Sequence, residues 1–238
     1  MVRPRAWYRR LSAASRRWLK LRSGVEMTVS ERYPDWPVIP TIGNEHLVDA
    51  RLYANRKSMV ASLPIAHGGK IAEIGVFKGA FSTFLIEELK PRQFFGFDAF
   101  AMHKRRNRNG ISGAQLFEGL THRQFYERAM AKFRDIVVPV EGPSAHTLRG
   151  YTDRSFDLVY VDAGHSYADV KADASFAVDM VSQTGFLVFN DYILIGPADY
   201  TPYGVVPVVN DLVVNHGWVI VGYALEDYLF CDIALRRA

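Results

Sequence analysis

The stretch AEIGVFKGAFSTFLIEEL, Ala72 to Leu89, has the order of a buried strand, a glycine turn and a helix. Turns of this kind hold nucleotides, because the first amides of the helix are left without partners. Gly75 and Gly79 stand four apart. A dinucleotide site needs a middle glycine in G-x-G-x-x-G so that the backbone can approach a pyrophosphate. Here that position is Phe77, whose ring would obstruct one. No Gly-Lys-Ser/Thr follows, so a P-loop is excluded as well. The turn suits a nucleoside without phosphates.

Outward from this unit, apolar runs alternate with helical patterns. Strands are predicted at 71–76, 93–97, 136–140, 156–161 and 185–189, with helices at 81–88, 122–133, 168–181 and 205–215. A closing antiparallel pair is predicted at 218–223 and 228–235. Upstream, 44–62 reads as a helix with Val48, Leu52 and Met59 near one stripe, which Asn55 interrupts. The expectation is an α/β fold. It has a mostly parallel, seven-stranded sheet with helices on both faces and an antiparallel closing strand. In such sheets ligands bind beyond the carboxyl ends of the strands, where strand order reverses.

With 238 residues, 49% hydrophobic and 23% charged, the chain suffices for one such domain, predicted over 44–238. Residues 23–43 include a proline-rich loop. One cysteine, Cys231, allows no internal disulfide, and with no apolar run of membrane-spanning length the simple expectation is a cytoplasmic protein. The net charge of +4 is a matter of the N-terminus. Residues 1–22 carry eight Arg or Lys and no acid, leaving 21 basic against 25 acidic residues, a body of −4. A basic tail on an acidic body argues against nucleic acid as the partner. Arg3 to Arg22 reads as a basic amphipathic helix, with Trp7, Leu11, Ala14, Trp18 and Leu21 on one face. Its readings are a lid or subunit contact, a membrane-surface anchor, and a transit segment.

The residues that follow the later strands fit a nucleoside. Asp98, nineteen residues past Gly79, ends FFGFD, where a carboxylate can accept ribose hydroxyls. Gly142 and Ser144 in VEGPSAH form a small-residue turn that can admit an adenine edge. Together these residues resemble a class I S-adenosylmethionine-dependent methyltransferase over roughly 44–235. The resemblance implies the Rossmann-like methyltransferase fold. It also implies S-adenosyl-L-methionine as cofactor, held by Glu73, Gly75, Phe77, Gly79, Ser82, Asp98, Gly142, Ser144 and Asp162. Ser82 would meet the methionine carboxylate, Asp98 the ribose and Ser144 the adenine.

A second constellation lies in FDLVYVDAGHSY and GFLVFNDY, which place Asp162, Asn190 and Asp191 at the ends of neighbouring strands. Three oxygen-bearing side chains with room for water suit Mg²⁺. These segments resemble the catechol O-methyltransferase-like enzymes and, more closely, the macrolide-sugar group of macrocin O-methyltransferase. That resemblance implies Asp162, Asn190 and Asp191 as metal ligands, with His165 as general base and Asp162 beside it in catalysis. Two departures stand out: Gly164 replaces a usual acid, and Asn190-Asp191 replaces a usual Asp-Asp pair, so the site carries less negative charge.

The expected activity is Mg-assisted O-methylation of a sugar or other small metabolite. The loop AFAMHKRRNRNG, with His103, Lys104, Arg105, Arg106 and Arg108, would attract an anionic or glycan acceptor. Tyr192, Tyr200 and Tyr203 are candidates to wall its pocket. Three alternatives stay open: a metal-independent methyltransferase, an iron-dependent hydroxylase on the same scaffold, and a non-catalytic scaffold recruited to membranes by residues 1–22. A homo-oligomer is the expected assembly.

Overall fold

Three apolar segments, Lys70–Ile74 (β2), Gln93–Asp98 (β3) and Phe156–Val161 (β5), lie side by side as parallel strands with β2 in the middle. The computed structural model describes residues 37–104, 110–196, 200–227 and 230–238. The basic segment 1–22, most of the proline-rich loop, Arg105, Arg106, Arg108 and Tyr228 lie outside the described residues. Residues 42–238 form one compact unit.

The sheet is completed by Leu47–Tyr53 (β1), Val137–Glu141 (β4), Val181–Phe189 (β6), Trp218–Ala224 (β7) and Asp232–Arg237 (β8). Its order is β1-β7-β8-β6-β5-β2-β3-β4, parallel throughout except for β8, which runs antiparallel to both neighbours. The Rossmann-like expectation holds, with eight strands rather than seven.

The added strand corrects the helix predicted over 44–62. Only Arg56–Ser62 (α1) is α-helical there, and Asn55 is its N-cap, accepting from Ser58 N at 2.8 Å. An asparagine that breaks a helical stripe is thus the residue that starts the helix. β1 escaped notice because Asp49 has φ 52° and its register against β7 shifts between Leu47 and Arg51. Such an irregularity erases the two-residue period.

Alternation along the central strands feeds two cores. Ile74, Val159, Val161, Leu187 and Phe189 face Tyr167–Met180 (α4) and Val205–Asn215 (α5). Ile71, Leu158, Tyr160 and Val188 face α1, Ala80–Leu89 (α2) and His122–Ala129 (α3). Unbroken apolar runs such as Val159–Tyr160–Val161 are what burial on both faces requires. From β2 the chain builds outward through β3 to β4, then crosses back to β5. The crevice at this reversal opens between the carboxyl ends of β2 and β5.

Candidate active site

At that crevice Gly75 has φ 90°, and a Cβ there would lie 2.0 Å from the Asp162 carbonyl oxygen. Only glycine lets the β2 turn pass so close to the end of β5. Gly79, with φ 81°, caps the start of α2. Between them Phe77 sits at φ 42°, a strained conformation for a bulky residue, with its ring half exposed. Its carbonyl is held 2.6 Å from Nε2 of the fully buried His122. His122 was not singled out in the sequence; the one local signal is Thr121, which caps α3 just before it.

Asp98 closes this side. Its two carboxylate oxygens accept from Val76 N at 3.0 Å and Phe100 N at 2.7 Å. Each oxygen keeps a lone pair for another donor. Gly142 N donates to the Asp98 carbonyl at 3.0 Å, which brings the β4 turn alongside. Ser144 starts a short helical turn and bonds the Asp173 carboxylate of α4.

Beside the turn is a cavity of about 300 Å³ lined by Arg56, Glu73, Gly75, Phe77, Phe81 and Asp162, among others. Ser82 does not face it. Its hydroxyl is fully buried and donates to Glu73. The sequence-based assignment of Ser82 to a carboxylate ligand is therefore not matched, because the third residue of α2 points inward. Arg56 and Lys78 are the cations on the cavity wall.

Burial pushes Glu73 up to about 8, against the hydrogen bond from Ser82. A raised carboxylate is protonated in the fold while the unfolded chain ionises. Stability therefore falls as pH rises from about 4.5 to about 8. At pH 7 the penalty is on the order of 3 kcal/mol. Glu73→Gln should melt above wild type at about pH 7.5 and together with it near pH 4. Equal melting temperatures throughout would show that Glu73 is ionised in the folded protein.

The second constellation does assemble at one edge. His165 follows β5 in a loop ending at Ser166, the N-cap of α4. Its Nε2 lies 3.1 Å from Asp191 Oδ2 and 3.9 Å from Asp162 Oδ1. The shorter contact is within hydrogen-bond distance but off hydrogen-bond alignment. Burial lowers the affinity of the imidazole for a proton, but Asp191 and Asp162 outweigh it and the pKa ends above its usual value. Asp191 has φ 57°, a further strained position at a strand end. Tyr203 stacks on the His165 ring at 4.6 Å and 15°. Tyr192 instead donates to Asn210 at 2.5 Å, and Tyr200 is exposed.

Asp162 is raised to about 6, chiefly by burial, with Arg56 opposing. Arg56 Nη1 stands 3.6 Å from Asp162 Oδ2 and 3.3 Å from Tyr160 Oη. Tyr160 donates to the fully buried Asp232, whose other oxygen accepts from Asn190 Nδ2 at 2.9 Å. Burial lifts Asp232 to about 7. Neither Arg56 nor Asp232 carries a sequence signal, since only the fold brings α1 and β8 to this point.

A divalent cation needs several oxygens converging at about 2.0–2.6 Å. Here Asp162 is partnered by Arg56, Asp191 by His165, and the Asn190 amide is turned to Asp232. Among the described residues no group of three or more His, Cys, Asp or Glu forms a metal-holding cluster. The expected Mg²⁺ triad shares an edge, but its side chains as arranged do not fit the ion.

A family model described as a methyltransferase domain matches residues 72–192, just over half of the chain, from β2 to the loop after β6. No curated protein matches. Among solved structures, a Klebsiella pneumoniae chain provisionally designated an O-methyltransferase is 15% identical, with a TM-score of 0.52 over 71% of this chain and 72% of that one. A Clostridium thermocellum chain provisionally designated an rRNA methylase is 12% identical, with a TM-score of 0.53 over 76% and 92%. Aeropyrum pernix fibrillarin, solved with S-adenosyl-L-methionine bound, is 15% identical, with a TM-score of 0.51 over 76% and 74%. At these identities the likeness is one of fold. Taken with the match along β2 to β6, it places the protein: the chain belongs to the methyltransferase-domain family.

Proposed function

We propose that the protein is an S-adenosylmethionine-dependent O-methyltransferase acting on a hydroxyl of a sugar or other small metabolite. The observation that carries this reading is the His165–Asp191 pair, set beside Asp162 at the crevice that the Gly75 turn opens. The donor brings a sulfonium-bound methyl group, whose transfer to the acceptor oxygen breaks the carbon–sulfur bond and leaves S-adenosylhomocysteine. Asp98 accepts the ribose hydroxyls through its remaining lone pairs, and the exposed Phe77 leaves no room for a pyrophosphate. His165 takes the acceptor proton on Nδ1, the ring nitrogen that does not face the carboxylates, and Asp191, beside Nε2, stabilises the imidazolium that results. Tyr203 fixes the ring plane by stacking, so the base is oriented before the acceptor arrives. His103 and Lys104 on the β3 loop favour an anionic acceptor.

The test is release of S-adenosylhomocysteine from the donor in the presence of a panel of sugars, phosphorylated sugars and catechols. Product with at least one hydroxyl acceptor supports the reading. Turnover on amines or RNA with none on hydroxyls would redirect it to another methylation class. Metal assistance is the rival reading, which the pairing of Asp162 with Arg56 and of Asp191 with His165 disfavours. It requires activity to vanish in EDTA and return with Mg²⁺.

A further inference from the structure

We infer that Arg56 is the resident cation of this site: its guanidinium takes the place of a divalent metal beside Asp162 and keeps such a metal out. The inference rests on the methyltransferase reading of the same crevice and adds the source of its positive charge. Arg56 is the first residue of α1, whose start is fixed by the Asn55 cap and by the Arg56 amide donating to the Glu226 carboxylate. From there the side chain reaches across the end of the sheet and lies on the Phe81 ring, 4.3 Å from its centroid. This contact is a cation–π seat that holds the planar head in one orientation. Nη1 then faces Tyr160 Oη and Asp162 Oδ2.

The groups expected to bind metal are thereby engaged in sequence. Arg56 faces Asp162 and Tyr160, Tyr160 bonds Asp232, and Asp232 holds the Nδ2 of Asn190. On the other side His165 lies between Asp162 and Asp191. A metal bound by Asp162 would stand within a few ångströms of a charge that never titrates away. The guanidinium also keeps donors beyond Tyr160 and Asp162 on the cavity side, so its charge acts on whatever occupies the cavity.

Direct Mn²⁺ binding, read by electron paramagnetic resonance on the EDTA-stripped full chain without donor, tests this. Wild type and Arg56→Lys should bind weakly and alike, and Arg56→Gln should bind about tenfold more tightly or better. Wild type binding as tightly as Arg56→Gln would overturn the inference, as would Arg56→Gln gaining nothing. Calorimetric titration of S-adenosylmethionine into the same wild-type sample separates the two ideas, since loss of donor binding would strike the methyltransferase reading and leave the metal result standing. If Arg56→Gln does not fold, wild-type Mn²⁺ binding decides alone: tight binding overturns the inference, and weak binding equal to that of Arg56→Lys upholds it.

Discussion

His165→Gln should lower kcat by roughly 10²- to 10⁴-fold, the usual contribution of a positioned general base, with the donor affinity unchanged. The imidazole has two carboxylates near one nitrogen, at 3.1 and 3.9 Å, and no other base among the described residues is paired this way at the crevice. Only the neutral ring can accept a proton. Because its pKa lies above the usual value, the rate should climb with pH along a limb centred above about 6.5. Asp191→Asn removes the larger attraction, so that limb should move to lower pH while the maximum rate falls less than in His165→Gln. Steady-state rates from about pH 5.5 to pH 9 check both. A His165→Gln enzyme that keeps its rate and its ascending limb would remove the histidine from the chemistry.

Asp98→Ala should weaken S-adenosylmethionine by about 100-fold or more, since two charge-assisted hydrogen bonds to ribose would go. The same change strips acceptors from the Val76 and Phe100 amides, which costs stability on the order of 1–3 kcal/mol. The two effects are separable. Thermal melting reports the lost amide partners, and calorimetry at a temperature where the variant is folded reports the lost ligand contacts. Unchanged donor affinity in a folded Asp98→Ala protein would move the ribose elsewhere.

Much of this arrangement is written locally, and some of it is not. The runs that became β2, β3, β5 and β6 are apolar because both of their faces are buried, and their ends carry glycine or acid. The pairing of β5 with β6, which brings Asp162 beside Asn190 and Asp191, followed from that pattern, while the full strand order did not. Phe77 was legible as bulk standing where a dinucleotide site needs its middle glycine, and the structure adds its strained φ of 42°. β1 was not legible: a bulged edge strand with exposed Leu47 and Leu52 has no clean period of two. Spacing put Ser82 in the cofactor motif, but spacing does not give direction, and the hydroxyl turned to Glu73. The same holds for Asn190, whose place was read correctly while its amide went to Asp232. Arg56 and His122 lie on helices whose contacts with the turn exist only once the sheet has formed.

The most direct test of the account is a calorimetric titration of S-adenosylmethionine into the wild-type chain. The account predicts saturable one-to-one binding in the micromolar range, undisturbed by EDTA. No binding with or without EDTA would contradict it, because the Gly75 turn and Asp98 would then hold no nucleoside donor.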